Sequence, residues 1–79
     1  MKVSIYSIQQ TLFEGEVTSV SFSTREGEIT ILDNHIPLIS QIAAGAVRLK
    51  TKGDETQSIP IAGGIAEVRP RNEMVILAV

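Results

Sequence analysis

His35 is the only histidine of the chain and stands in Asp33-Asn34-His35-Ile36-Pro37. An aspartate so close suits it to general-base or metal chemistry. A metal site needs three or four convergent ligands, and the sequence holds no second histidine and no cysteine. A hydrolytic triad needs a nucleophile at a sharp strand-to-helix turn, and no Gly-x-Ser-x-Gly is present. His35 is therefore read as a turn histidine, packed or facing the surface. Glu26 and Glu28 straddle Gly27 and would share one face of a continuous strand. Acid–base work by such a pair requires a cleft that shifts one pKa, and a hairpin tip provides none. They are read as hydrated tip charges or as a docking point for a polar partner. Gly63-Gly64 lacks the Lys-Ser/Thr ending and the following helix of a phosphate loop, and marks a bend or a close backbone approach. Lys52, beside Gly53-Asp54, is the one lysine placed like the swinging-arm lysine of a lipoyl or biotinyl carrier. It lacks the Asp-Lys-Ala or Met-Lys-Met neighbours of such domains. No catalytic group, metal or cofactor is expected, and the chain is not read as an enzyme.

The elements that position these residues are strands. Val47-Arg48-Leu49-Lys50-Thr51-Lys52 alternates strictly, which sends Val47 and Leu49 inward and the cations outward. Gly53-Asp54 turns the chain into a second strand over 55–61. Residues 17–24 are rich in Val, Thr, Phe and Ser, with Val20 and Phe22 inward. Runs at 2–8, 28–32, 65–69 and 74–77 complete the series, and 38–44 is a short strand or irregular crossing. Gly15, Gly27, Asp33-Asn34, Gly45, Gly53-Asp54, Gly63-Gly64 and Arg71-Asn72 punctuate the runs. That spacing predicts an all-β fold, an antiparallel sandwich or barrel, over one domain spanning 1–79.

Composition narrows the function classes. The chain has 79 residues, seven basic and nine acidic, for a net charge of −2. A domain this small buries only roughly 60–65% of its unfolded surface, which leaves little room for a deep multi-substrate site. No cysteine means no disulfide framework and no thiolate nucleophile. The slightly acidic balance and an aromatic content of 4% argue against nucleic acid as a partner. No apolar stretch approaches the roughly 20 residues of a spanning helix.

Four segments in order then resemble one family. Leu12-Phe13-Glu14-Gly15 is similar to its apolar-Phe-x-Gly. Gly27-Glu28-Ile29-Thr30-Ile31-Leu32-Asp33-Asn34-His35-Ile36-Pro37-Leu38 resembles Gly-Glu-x-Gly-Ile-x-Pro-Gly-His-x-Pro-Leu, and Ala62-Gly63-Gly64-Ile65-Ala66-Glu67-Val68 resembles Ser-Gly-Gly-x-x-Glu-Val. Val75-Ile76-Leu77-Ala78 closes the set. The family is the epsilon subunit of F-type ATP synthases (delta in mitochondria), and the resemblance covers its N-terminal domain, which implies an all-β fold, an antiparallel β-sandwich (flattened barrel) of about ten short strands in two sheets. One departure is Asp33-Asn34 for Pro-Gly. Asparagine tolerates positive φ, so the turn survives the change.

The resemblance implies a rotor adaptor between the gamma subunit and the c-ring of a proton- or sodium-driven synthase. By position, Glu28 with Glu26 would face the c-ring loops. Ser7, His35, Ile36, Pro37, Leu38 and Ser40 would face gamma, with the apolar run 36–39 as the firm part of the contact. It implies a peripheral location on the cytoplasmic face of the bacterial inner membrane, or the equivalent energy-transducing membrane, held only through the complex. Isolated copies would be free to self-associate through the unoccupied rotor face. Family members usually continue into an inhibitory helical hairpin; with the sequence stopping at Val79, rotor coupling without that element is the expectation. The alternatives are a carrier modified on Lys52 and a generic protein-binding β-sandwich that uses a free strand edge.

Overall fold

A computed structural model describes all 79 residues. Nine strands follow one another: β1 Lys2–Tyr6, β2 Thr11–Glu16, β3 Ser19–Thr24, β4 Gly27–Leu32, β5 Leu38–Ile42, β6 Gly45–Lys50, β7 Thr56–Ile61, β8 Gly64–Arg69 and β9 Glu73–Ala78. They form a five-stranded sheet in the order β2-β1-β9-β8-β5 and a four-stranded sheet in the order β4-β3-β6-β7. The two-sheet, all-β architecture is the one expected, with nine strands where about ten were implied. One pairing is parallel: β1 lies beside β9 with Val3 opposite Met74 and Ile5 opposite Ile76. Simple hairpin counting misses this pair because it joins the first strand to the last.

Alternation drives the burial. Val3 and Ile5 of β1, Val20 and Phe22 of β3, Val47 and Leu49 of β6 and Met74 and Ile76 of β9 are all inward and almost fully buried. They belong to one cluster of 17 buried residues between the sheets. Segment 38–44, left open between strand and irregular crossing, is a strand over its first five residues and pairs with β8.

Two of the punctuation marks work differently from the sequence pattern. Gly15 is no turn; it lies inside β2 opposite Val3. The turn before it is built by Ser7 and Gln10, which exchange backbone and hydroxyl hydrogen bonds. In the β6–β7 connection the left-handed residue is Asp54, at φ 60°, and not its glycine neighbour. Gly63-Gly64 is the close approach anticipated: a Cβ on Gly64 would overlap the Leu77 carbonyl oxygen of the adjacent strand.

Candidate functional site

The hairpin joining β3 and β4 carries the expected ring-facing carboxylates. Thr24 pairs with Gly27, so Arg25 and Glu26 alone span the loop. The Thr24 hydroxyl donates to the Gly27 carbonyl at 2.7 Å and accepts from the Glu26 amide at 3.2 Å. Gly27 takes φ 126°, which breaks the extended run between the two glutamates. The shared face expected for Glu26 and Glu28 therefore does not form. Glu26 stays in the turn, exposed. Glu28 enters β4 opposite Ser23 and reaches diagonally across β3 to an ion pair with Arg48 of β6, which lies opposite Ser21. Long side chains meet readily on such a diagonal of one sheet face.

The other end of β4 leads into the Asp33–Pro37 segment. The His35 amide donates to the Leu32 carbonyl at 3.3 Å, and Asn34 sits between them at φ 61°, the conformation glycine would otherwise supply. A side-chain network holds this turn. Asn72, in the β8–β9 connection at φ 58°, accepts the Asn34 amide on its Oδ1 at 2.7 Å. Asp33 takes a hydrogen bond from the Met1 ammonium at 2.5 Å and another from the Asn72 amide at 3.4 Å. His35 is half-buried, and its Nδ1–H donates to the Ile36 carbonyl at 2.7 Å. That bond keeps the nitrogen within its own turn, and the structure holds no group of three His, Cys, Asp or Glu side chains able to bind a metal ion. Ile36, by contrast, is 74% exposed.

The Met1 ammonium, and after it the Asn72 amide, hold the Asp33 carboxyl below its ordinary value of 3.8, outweighing the opposing effect of burial. A carboxyl with a depressed folded pKa stabilises the fold fully above its unfolded value and loses that contribution as pH falls through the folded one. Wild type is therefore expected to unfold at a higher temperature than Asp33→Asn near neutral pH, with the gap closing below about pH 3.8. Thermal melts of both chains across that range check this, and a gap independent of pH would contradict it.

The remaining expected residues spread over the five-stranded sheet. Ser7 lies just past Tyr6, and its hydroxyl is engaged with Gln10 in its own turn. Ser7 follows β1 and His35 precedes β5, two strands of this sheet that are separated by β9 and β8. Leu38 and Ser40 pair with buried Val68 and Ala66 and so point to the inner side, half open because β5 is an edge. Ile39, between them, points outward and is 71% exposed.

That outward direction exposes a surface the sequence reading did not single out. Tyr6, Leu77, Ile65 and Gln41 lie in one row across β1, β9, β8 and β5, and Val75, Glu67 and Ile39 in the next. Leu77 is 56% exposed and Ile65 48%. Tyr6, Ile39, Ile65, Val75 and Leu77 line a shallow depression of about 330 Å³, with the Glu67–Arg69 ion pair at its side. The signal lay in β9, where Val75-Ile76-Leu77 is apolar on both faces. Strands apolar on both faces are covered on both faces in most folds.

The sandwich as a whole has known relatives. The family model described as the ATP synthase delta/epsilon chain, beta-sandwich domain, matches residues 1–79. An ATP synthase epsilon chain from Halalkalibacterium halodurans is 42% identical over 78 residues, covering 99% of this chain and 57% of the relative. One from Herminiimonas arsenicoxydans is 40% identical over 77 residues, covering 96% and 55%. The chain thus spans a little over half the length of these relatives. Among solved structures, a chain of the Euglena gracilis mitochondrial ATP synthase superposes with a TM-score of 0.90 at 24% identity, over 98% of this chain and 49% of that one. A central-stalk and c-ring structure from Tetrahymena thermophila gives 0.83 at 14% identity, over 99% and 62%.

Proposed function

This chain belongs to the delta/epsilon β-sandwich family of ATP synthases, and from that premise we propose that it is a non-catalytic rotor adaptor joining gamma to the c-ring. The observation that carries the reading is the placement of the two expected contact regions at opposite ends of one strand. Glu26 and Glu28 stand at the start of β4, and His35, Ile36 and Pro37 just beyond its end, with about 17 Å of strand between. A domain shaped this way engages two partners without bending. The exposed face of the five-stranded sheet continues the second region. We assign gamma to His35–Pro37 together with Ile39, Ile65 and Leu77, because firm contacts form on desolvated apolar and aromatic groups. The c-ring falls to the β3–β4 tip.

Since no helix of the chain is long and apolar enough to cross a membrane, attachment to the cytoplasmic face of the bacterial inner membrane is assigned to the complex. All nine elements are strands, so the contribution proposed for these 79 residues is docking and coupling, not helical inhibition. A carrier role for Lys52 is less well supported. The lysine lies exposed in the turn between β6 and β7, and its neighbours Thr51 and Gly53 do not match those of a carrier lysine.

Glu28→Lys is the experiment for the ring contact. Reversal removes the Arg48 pair and places two cations side by side at the tip. ATP-driven ion pumping by the assembled complex is expected to fall severalfold at low salt and to recover partly at high salt, because exposed charges are screened within about 10 Å at 0.1 M. Pumping that ignores the reversal at every salt concentration would remove the tip from the ring interface.

A further inference from the structure

The β3–β4 hairpin outruns its sheet. β3 pairs with β6 only from Ser19 to Ser21, where Ser21 stands opposite Arg48. β4 ends the sheet, so no strand covers its outer edge. Beyond Ser21, Phe22 still anchors β3 in the core, and the Ala43 amide donates to the Ser23 carbonyl at 2.9 Å. The β4 side of the tip has no such backbone tie. The Thr24 hydroxyl makes its hydrogen bonds inside the hairpin, to Gly27 and Glu26. From Thr24 to Glu28, only the Glu28 carboxylate reaches another strand, in its ion pair with Arg48. That pair crosses the outer face of β3 on the diagonal between Ser23, opposite Glu28, and Ser21. Both serines are small enough for long side chains to pass over.

We infer that Arg48 is a positioning residue: its guanidinium braces the projecting tip and fixes the attitude in which Glu28 is offered to the c-ring loops. Arginine suits the task because its planar fork holds a carboxylate in a set direction, where lysine gives a point charge on a flexible stem. The two side chains are 47% and 46% exposed, and the contact is made through Glu28 Oε1. A carboxylate has two oxygens and about four acceptor sites, so the brace and a docked partner can share it. A half-exposed pair adds little to the stability of the whole domain. What it contributes is direction. The consequence for the ring rests on the function proposed above; the brace itself does not.

The test replaces Arg48 by methionine, which keeps a long stem without charge, and by lysine. In the isolated chain, the backbone amide order parameters of Arg25, Glu26 and Gly27 are expected to fall from about 0.85 to below about 0.6 in Arg48→Met. Arg48→Lys should recover at least half of that loss. Exchanging the two charges, Glu28→Arg with Arg48→Glu, should recover it as well, because the pair is rebuilt. Tm should stay within about 3 °C of wild type in all three, as for other surface substitutions. In the assembled complex, Arg48→Met should lower ATP-driven ion pumping by about threefold, the scale set by losing one half-exposed ion pair, and Arg48→Lys should restore it. Unchanged order at the tip of Arg48→Met overturns the brace. So does a charge exchange that leaves the tip mobile, or a drop in Tm large enough to loosen the whole sheet. A mobile tip with normal pumping, where Glu28→Lys impairs pumping, overturns the link between brace and ring. Normal pumping in Glu28→Lys as well overturns the ring reading instead, and the order parameters still decide the brace.

Discussion

Gly64→Ala is expected to remove about half of the stability of the fold. Gly64 opens β8 opposite Ala78, and a Cβ there would overlap the Leu77 carbonyl oxygen and lie 3.1 Å from the Ala78 Cα. Both obstacles are backbone atoms of β9, so no side-chain rotation relieves them. Relief requires moving β8 away from β9, an interior pair of the five-stranded sheet that also carries Ala66, Val68 and Ile76 into the core. Overpacking that forces backbone shifts costs about 1–3 kcal/mol and occasionally more. Domains of this kind are stable by only about 5–15 kcal/mol, with small ones near the lower bound. The urea midpoint should fall by half or more. Gly53→Ala is the contrasting variant, since nothing lies within 4 Å of its added methyl group and its φ is ordinary. It should melt within a degree or two of wild type. Equal midpoints for the two variants would show that the β8–β9 approach is looser than described.

Replacing Ile39 and Leu77 together by aspartate is expected to cost gamma binding at least a hundredfold. Both side chains point outward from the five-stranded sheet, at 71% and 56% exposure, so their removal takes little from the core. At an interface the balance reverses: truncating a central apolar anchor costs about 2 kcal/mol or more, and a carboxylate buried against an apolar partner adds a desolvation penalty. The double variant should keep its Tm and gain solubility, because an exposed apolar face also invites self-association. Titration of wild type and variant with gamma reads the difference. Equal affinity would move the gamma contact off this face.

The fold was legible wherever one side of a strand is polar. Val47-Arg48-Leu49-Lys50 declared both its type and its inward face, and Val47 and Leu49 are fully buried. Asn34 was readable as a stand-in for glycine, and its φ of 61° bears this out. Legibility failed where the deciding partner is distant in sequence. The parallel β1–β9 pair, the reach of Glu28 to Arg48 and the Met1–Asp33–Asn72 tie each join segments 20 or more residues apart, beyond any local pattern. The candidate site divided in the same way. His35 and Ile36 could be named from a motif, whereas Tyr6, Ile65, Val75 and Leu77 become a surface only once β1, β9 and β8 are placed side by side. Ser7 and Ser40 show the reverse case: their positions were carried by resemblance, and the first is occupied by its own turn while the second faces inward.

A rotor adaptor of this size must hold two partners at once. Co-elution of the 79-residue chain with purified gamma, with the detergent-solubilised c-ring, and with both together tests it most directly. A ternary complex is expected, in which the chain binds the mixture more tightly than either partner alone. A chain that binds neither, or whose binding to one partner excludes the other, would contradict it.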